Sequence, residues 1–445
     1  MQKYRDLIFL TFILAAGIFL RIYSINTNYY FTGELGKELL YMRQFVLSDS
    51  FPLIGMATSH EWLSYGPIYY WIMIPIFKLW SGNPYILFWT ATVVSILGLI
   101  INYLVFNKIA GKRIAIFSTL IQSISPLLIW QTRLSKLHVF FFLLIPIFTY
   151  LLYKIWNGEK KWVVWTGLIF GIMFSFHFSQ IPLTGVVILL FWIKKNIYKV
   201  SDWLKFGLGV LIPNITLIWQ DKNLAIWLPY RVVNVADKNP GGTYQSLLEY
   251  FGKNIFWDNR LWIIGLLIFI VIFVHYFLRN KSKFKKDFLS FYLISSISLM
   301  FVANVLHGAP PIHYFLPIFT TIPVLFAIYL EKLKFWPLIL TPILFVNIIS
   351  FNNDQLFYSN KLTLEPVMDM VPYARQNILT SFIVSDSKGK PFSIQRTGPY
   401  DFFPEQYSQN YKYLVLWKGG KLVDNSKNIY TIVEDTKKGE ISVQK

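Results

Sequence analysis

Apolar runs, most of them near the length of one bilayer crossing, recur along the chain with polar segments between them. They lie near 7–24, 84–106, 114–130, 137–153, 162–179, 181–193, 204–220, 261–278, 288–306, 312–330 and 335–351. A helix needs about 20 residues to cross a bilayer, with about 17–25 usual, so the run at 181–193 is short. Charge argues for keeping it as a separate crossing. Joining 162–193 into one span would move Lys194, Lys195, Lys199 and Lys205 to the outer side and invert every later basic loop. The pattern predicts an all-α polytopic membrane protein with about eleven transmembrane helices.

With the N-terminus inside, the segments holding Lys3 and Arg5, Lys108 to Arg113, Lys154 to Lys161, Lys194 to Lys205, Arg279 to Lys286, and Lys332 and Lys334 all fall on the cytoplasmic side. The short outer turns near 180 and 307–311 carry no Lys or Arg. This is the positive-inside pattern. The first run reads as a retained span, because Arg21-Ile22-Tyr23-Ser24 follows it instead of a small-residue cleavage site. Residues 1–351 therefore form the expected transmembrane domain, with long outer loops at 25–83 and 221–260. Residues 352–445 lack a long apolar run. A helix-like stretch at 365–377 and strand-like pieces at 381–384, 413–417 and 430–433 suggest a small extracytoplasmic α+β domain. The stretches Asp386 to Lys390 and Lys418 to Lys421 read as hairpin turns. No repeat with a solenoid period is visible. The expected location is a plasma (inner) membrane, multi-pass.

Composition agrees with the pattern. Hydrophobic residues make up 55% of the 445 residues and charged ones 15%, against about 45–50% and 25% in soluble domains. That excludes disorder and a soluble enzyme on a single anchor. The net charge of +19 is explained by topology, so no nucleic-acid partner is implied. The absence of cysteine removes disulfides, thiolate metal sites and thiol nucleophiles.

Polar groups are costly in such a protein, so their positions carry information. Thr32 or Gly33 can cap a helix on which Glu34, Lys37 and Glu38 share one face, while Leu35, Leu39, Leu40 and Met42 cover the rest. A solvated face with an internal ion pair is the plain reading of that spacing; a carboxylate–ammonium site is the functional one. The loop continues through Pro52-Leu53-Ile54-Gly55, His60-Glu61-Trp62 and Tyr65-Gly66-Pro67-Ile68-Tyr69-Tyr70. Residues 66–80 are apolar, aromatic and short, as in an interfacial or re-entrant helix. The two loop helices would roof a membrane-facing cavity. Arg133 and Lys136 stand in a short outer loop against the topology rule, which points to a local use: anion binding or headgroup snorkelling. Arg231 follows Leu228-Pro229-Tyr230 and fits either an anion site or a salt bridge with Asp237. Of the six histidines, His60, His138, His177, His307 and His313 fall on the outer side and could line one cavity; His275 does not. No His-x-x-x-His pair or acidic triplet occurs, and Lys37 between Glu34 and Glu38 disfavours an ion there, so a divalent metal site has little support without being excluded.

The first-loop cluster, the Pro-Leu-x-Gly turn, Tyr-Gly-Pro-x-Tyr-Tyr, Ser125-Pro126 with Arg133, His177, Leu228-Pro229-Tyr230-Arg231, and His313-Tyr314 before Leu316-Pro317 together resemble the GT-C superfamily of glycosyltransferases. The nearest branches are the protein mannosyltransferases and the lipid A aminoarabinose transferases. The resemblance implies a GT-C fold and an inverting transfer of a sugar from a polyprenyl-phosphate donor to a protein, lipid or glycan acceptor outside the membrane, with no further cofactor. It makes Glu34 the general base, where the family usually has Asp, with Glu38 as second candidate or partner. It makes Lys37, Arg133, Lys136 and Arg231 candidates for the donor phosphate; the family usually has Arg where Lys37 stands, so the bidentate fork is lost. His60, Tyr65, Tyr69, His177, His313 and Tyr314 become cavity or substrate residues. A transporter of lipid-linked sugars would instead favour charges at the bilayer midplane, an O-antigen ligase or polymerase would place arginine and histidine late in the chain, and an inactive envelope-assembly scaffold would need no base.

Overall fold

The computed structural model of the chain describes residues 2–58, 63–220, 244–258, 260–306, 312–351, 371–397, 408–435 and 440–445. The protein is mostly helical, and each of the eleven apolar runs falls on helix. Among the described residues, five helices are long and apolar enough to cross a membrane: Tyr85–Ile109, Leu137–Trp156, Trp262–Lys283, Phe288–Leu306 and Ile312–Leu330. The run at 114–130 is not straight. Lys112–Ile124 and Pro126–Arg133 meet at 55°, because Pro126 holds Ser125 in an extended conformation (φ −62°, ψ 116°) and cannot continue the hydrogen-bond ladder. Counted as one span, this pair is a sixth. Leu7–Ile22, Ile68–Leu79, Phe178–Ile193 and Trp336–Ser350 are shorter apolar helices.

The apolar faces point both ways. Trp262–Asn280 leaves Ile263, Ile264, Leu267, Val271 and Val274 exposed. Such a face is expected of a helix whose solvent is lipid. The protein core lies where Tyr85–Ile109, Phe141–Trp156 and Leu316–Leu330 bury Phe88, Phe148, Leu152, Phe319 and Leu325. A polar seam crosses this core: Gln122 donates to Asn102 (3.1 Å) and to the Thr320 carbonyl (2.8 Å). Together the helices make a multi-pass membrane protein.

The C-terminal segment folds as a three-stranded sheet with two helices. Strand β1 (Ser393–Thr397) runs parallel to β2 (Ile429–Asp435), and β2 runs antiparallel to β3 (Glu440–Gln444). The piece at 430–433 is strand as expected. Those at 381–384 and 413–417 are not; they lie inside the helices Tyr373–Asp386 and Gln409–Trp417. Their β-branched and apolar runs mimic strands, but burial follows a helical period, through Tyr373, Gln376, Thr380 and Ile383 in the first. The expected helix begins at Tyr373; residues 365–370 lie outside the described residues. The two expected hairpin turns are helix ends, with Lys388, Gly389 and Gly419 at positive φ.

This segment sits on the first loop. Gln376 Nε2 and Asn410 Nδ2 donate to the Phe31 carbonyl at 3.0 and 3.4 Å. Trp417 Nε1 donates to the Ser81 carbonyl at 3.0 Å, and the Tyr413 hydroxyl donates to the Gly82 carbonyl. Gly36 packs so closely on Asn410 that a Cβ there would lie 2.3 Å from the Asn410 nitrogen.

Candidate active site

The first-loop helix forms as its sequence predicts. Thr32 caps Gly33–Leu47, its Oγ1 accepting from the Leu35 N–H at 3.1 Å. Leu35, Leu39 and Met42 are buried, and the helix turns Glu34 and Glu38 onto one edge. The second loop helix, Ile68–Leu79, ends where Ser81 and Gly82 take positive φ. Its entry is fixed at Gly66, whose N–H donates to the Ser175 carbonyl at 2.7 Å. A Cβ there would fall 1.9 Å from the Ser175 hydroxyl.

Glu34 is half-buried and forms an ion pair with Lys136, Oε2 to Nζ, at 2.7 Å. Lys136 comes from the turn after Pro126–Arg133, where Ser135 is left-handed (φ 59°). The partner of Glu34 thus arrives from a loop about 100 residues downstream. Lys37 lies on the same helix, partly buried. Glu38 is 1% exposed and accepts from the Tyr69 hydroxyl at 3.1 Å. Burial pushes its carboxyl from the ordinary 4.5 up to about 8; the charge of Glu34 adds to the rise, while the Tyr69 bond and Lys136 oppose it. Burial and the neighbouring carboxylates also raise the phenols of Tyr65 and Tyr69. The two acids therefore differ in setting: Glu34 is half-buried against the Lys136 ammonium, whereas Glu38 is buried and holds a proton near neutral pH.

Tyr65 links this cluster to the histidines. Its ring lies 5.6 Å from that of His177, and Tyr314 lies 4.9 Å from His177 on another side. His138 and His313 complete the group, with rings nearly parallel at 4.0 Å. The structure thus brings together Glu34, Glu38, Lys136, Tyr65, Tyr69, His177, His313 and Tyr314. Arg133 is used differently. It is buried, and its Nη1 donates to the carbonyls of Tyr23 (2.9 Å), Leu20 and Arg21 (both 3.4 Å), closing the C-terminal end of Gln2–Ile22. Its Nε and Nη2 have no partner among the described residues. His60, Arg231 and His307 lie outside the described residues. His138, one of the five histidines expected to share a cavity, does meet His177 and His313, although the three come from chain segments far apart and their spacing does not show which of the five come together.

Residues 64–219 match the family model of dolichyl-phosphate-mannose-protein mannosyltransferase. The match includes Tyr65, Tyr69, Lys136, His138 and His177 and stops short of the Glu34 helix. The fold is similar to that of ArnT from Cupriavidus metallidurans bound to undecaprenyl phosphate (TM-score 0.53, 15% identity, covering 77% of this chain and 62% of that one). It is also similar to the archaeal oligosaccharyltransferase AglB from Archaeoglobus fulgidus in complex with an inhibitory peptide and a dolichol-phosphate (TM-score 0.54, 11% identity, 95% and 65%). The Archaeoglobus fulgidus oligosaccharyltransferase in complex with Zn and sulfate aligns at TM-score 0.58, 11% identity, 94% and 62%. This chain therefore spans less than two thirds of the length of these structures. No curated protein matches it. Family match and fold together make the chain similar to the GT-C glycosyltransferases.

Proposed function

We propose that the protein is an inverting glycosyltransferase that moves a sugar from a polyprenyl-phosphate donor to an acceptor hydroxyl or amine on the outer face of the membrane. The observation that carries this reading is the Glu34–Lys136 pair at 2.7 Å, which joins a carboxylate and a cation from two different loops. The bound lipid phosphates of the ArnT and AglB structures support the donor class. Glu34 takes the acceptor proton as its oxygen or nitrogen bonds to the anomeric carbon. The bond from that carbon to the phosphate oxygen breaks on the opposite side, and its electron pair stays with the lipid phosphate. Lys136, with Lys37 nearby on the helix, balances the charge that builds there. One base suffices, because direct displacement needs no second carboxylate nucleophile. Glu38, held by Tyr69, flanks the base and is the alternative to it.

The same reading places eleven crossings in the membrane, the N-terminus inside, and the C-terminal segment outside. The bonds from Gln376, Asn410, Tyr413 and Trp417 to the first loop support a common side for loop and segment. The acceptor is a protein, lipid or glycan.

The test is transfer by the purified full chain in nanodiscs, with a panel of labelled polyprenyl-phosphate sugars and cell-envelope acceptors. Glu34→Gln should keep donor binding and lose about 10²–10⁴-fold in turnover. Donor binding without turnover across the panel would turn the reading toward a scaffold or transporter. Full turnover in Glu34→Gln would move the base to Glu38.

A further inference from the structure

Three histidines from separate segments meet beside the proposed site. His138 sits in the turn Leu137–Phe140, His177 at the break after Val163–Phe176, and His313 in the turn Ile312–Phe315. One ring nitrogen of each lies within 4.8 Å of the others. The His138 ring is 4.9 Å from His177, and His177 is 5.0 Å from His313, both pairs edge-on.

Hydrogen bonding separates this group from an ordinary core cluster. His138 is 4% exposed, and neither of its ring nitrogens has a partner among the described residues. Burying an imidazole that way is costly unless something else engages it. His177 is oriented instead. Its Nδ1 lies 2.8 Å from the Ser179 hydroxyl. In the tautomer that donates this bond, Nε2 carries a free lone pair, the usual support given to a ligating histidine. The Ser179 backbone N–H also reaches Nδ1, at 3.1 Å, and serves the opposite tautomer.

We infer that His138, His177 and His313 form a tri-histidine site for a zinc-class divalent ion. Imidazole nitrogens select such ions, whereas magnesium and calcium require oxygen ligands. A tetrahedral site with bonds of about 2.0–2.1 Å needs nitrogens about 3.3 Å apart, so small side-chain rotations close the present spacing. Three neutral ligands leave the ion its full charge and one open position. Lys136 is the nearby cation, and its pairing with Glu34 offsets it. An anionic oxygen ligand is the natural fourth partner.

The full chain, purified in detergent, stripped with a chelator and dialysed, is titrated with Co²⁺ and then Zn²⁺ without any sugar donor. Wild type should bind one ion per chain, with the intense visible bands of four-coordinate cobalt that Zn²⁺ then bleaches. His138→Ala and His313→Ala should abolish the bands, and Ser179→Ala should weaken binding about 10–100-fold. His275→Ala, whose ring instead meets the Tyr329 hydroxyl at 2.7 Å, should bind like wild type. Folding of each variant is checked by monodispersity and thermal midpoint. Absence of a stoichiometric ion in wild type overturns the site, as does undiminished binding in folded His138→Ala. Ion content is read apart from transfer, so this site and the transferase reading fail separately.

Discussion

Glu38→Gln tests the electrostatics of the first-loop helix. The folded protein holds the Glu38 proton up to about pH 8, whereas the unfolded chain releases it near 4.5. Below 4.5 both states carry the proton, and burial of the carboxyl costs nothing extra in charge. Between the two values the folded state binds more protons, so stability falls as pH rises; above 8 the penalty is complete. At about 1.4 kcal/mol for each pH decade across that interval, the ceiling is on the order of 5 kcal/mol. Glutamine keeps an acceptor for the Tyr69 hydroxyl and removes the ionisation. The assay is denaturant or thermal unfolding of wild type and variant in one detergent from pH 5 to 9. Their difference should be small at pH 5, grow in favour of Glu38→Gln toward pH 8, and level off above it. Glu34→Gln removes the neighbouring carboxylate that adds to the rise at Glu38, so the decline should still begin near pH 4.5 but end at lower pH, and its depth should shrink. A difference between wild type and Glu38→Gln that is flat with pH, or that grows toward acid, would mean that Glu38 is not held protonated by burial.

Other substitutions separate roles that one cluster leaves mixed. Lys136→Met removes the cation beside Glu34 and should lower kcat/KM for transfer by about 10²-fold; unchanged kinetics would take Lys136 out of the donor site. Arg133→Met frees the carbonyls of Leu20, Arg21 and Tyr23 and should cost about 1.5–3 kcal/mol in stability while donor affinity stays; lost donor affinity at unchanged stability would restore Arg133 as a phosphate ligand. Gly36→Ala drives a methyl into the Asn410 backbone and should cost about 1–3 kcal/mol in docking of the C-terminal segment, read as faster limited proteolysis between that segment and the membrane helices.

The sequence made the helical parts legible because period and charge act locally. The Gly33–Leu47 helix needs only its Thr32 cap and its Leu35, Leu39, Met42 face, and these follow one another in the chain. The Ile68–Leu79 helix is likewise local, an apolar run that starts after Pro67. Pairing was less legible. Glu34 has Lys37 as its nearest basic residue in sequence, yet it pairs with Lys136, which is brought there by the left-handed turn at Ser135. Arg133 was conspicuous as an outer-loop cation, but its contacts are helix-end carbonyls that no local pattern reveals. The helices at 373–386 and 409–417 were misread because short apolar runs carry no reliable period, and packing against the sheet and first loop decided them.

The hold of Gln376 and Asn410 on Phe31 has a consequence for biogenesis. The contacting residues are 345 and 379 positions apart in the chain. At roughly 5–20 residues per second of synthesis, the first loop is made tens of seconds before the residues that brace it. During that interval the helix carrying Glu34 stands without its cover. A nascent chain is therefore assembled before it is competent, and a later-made segment acts as the latch that completes an earlier-made loop.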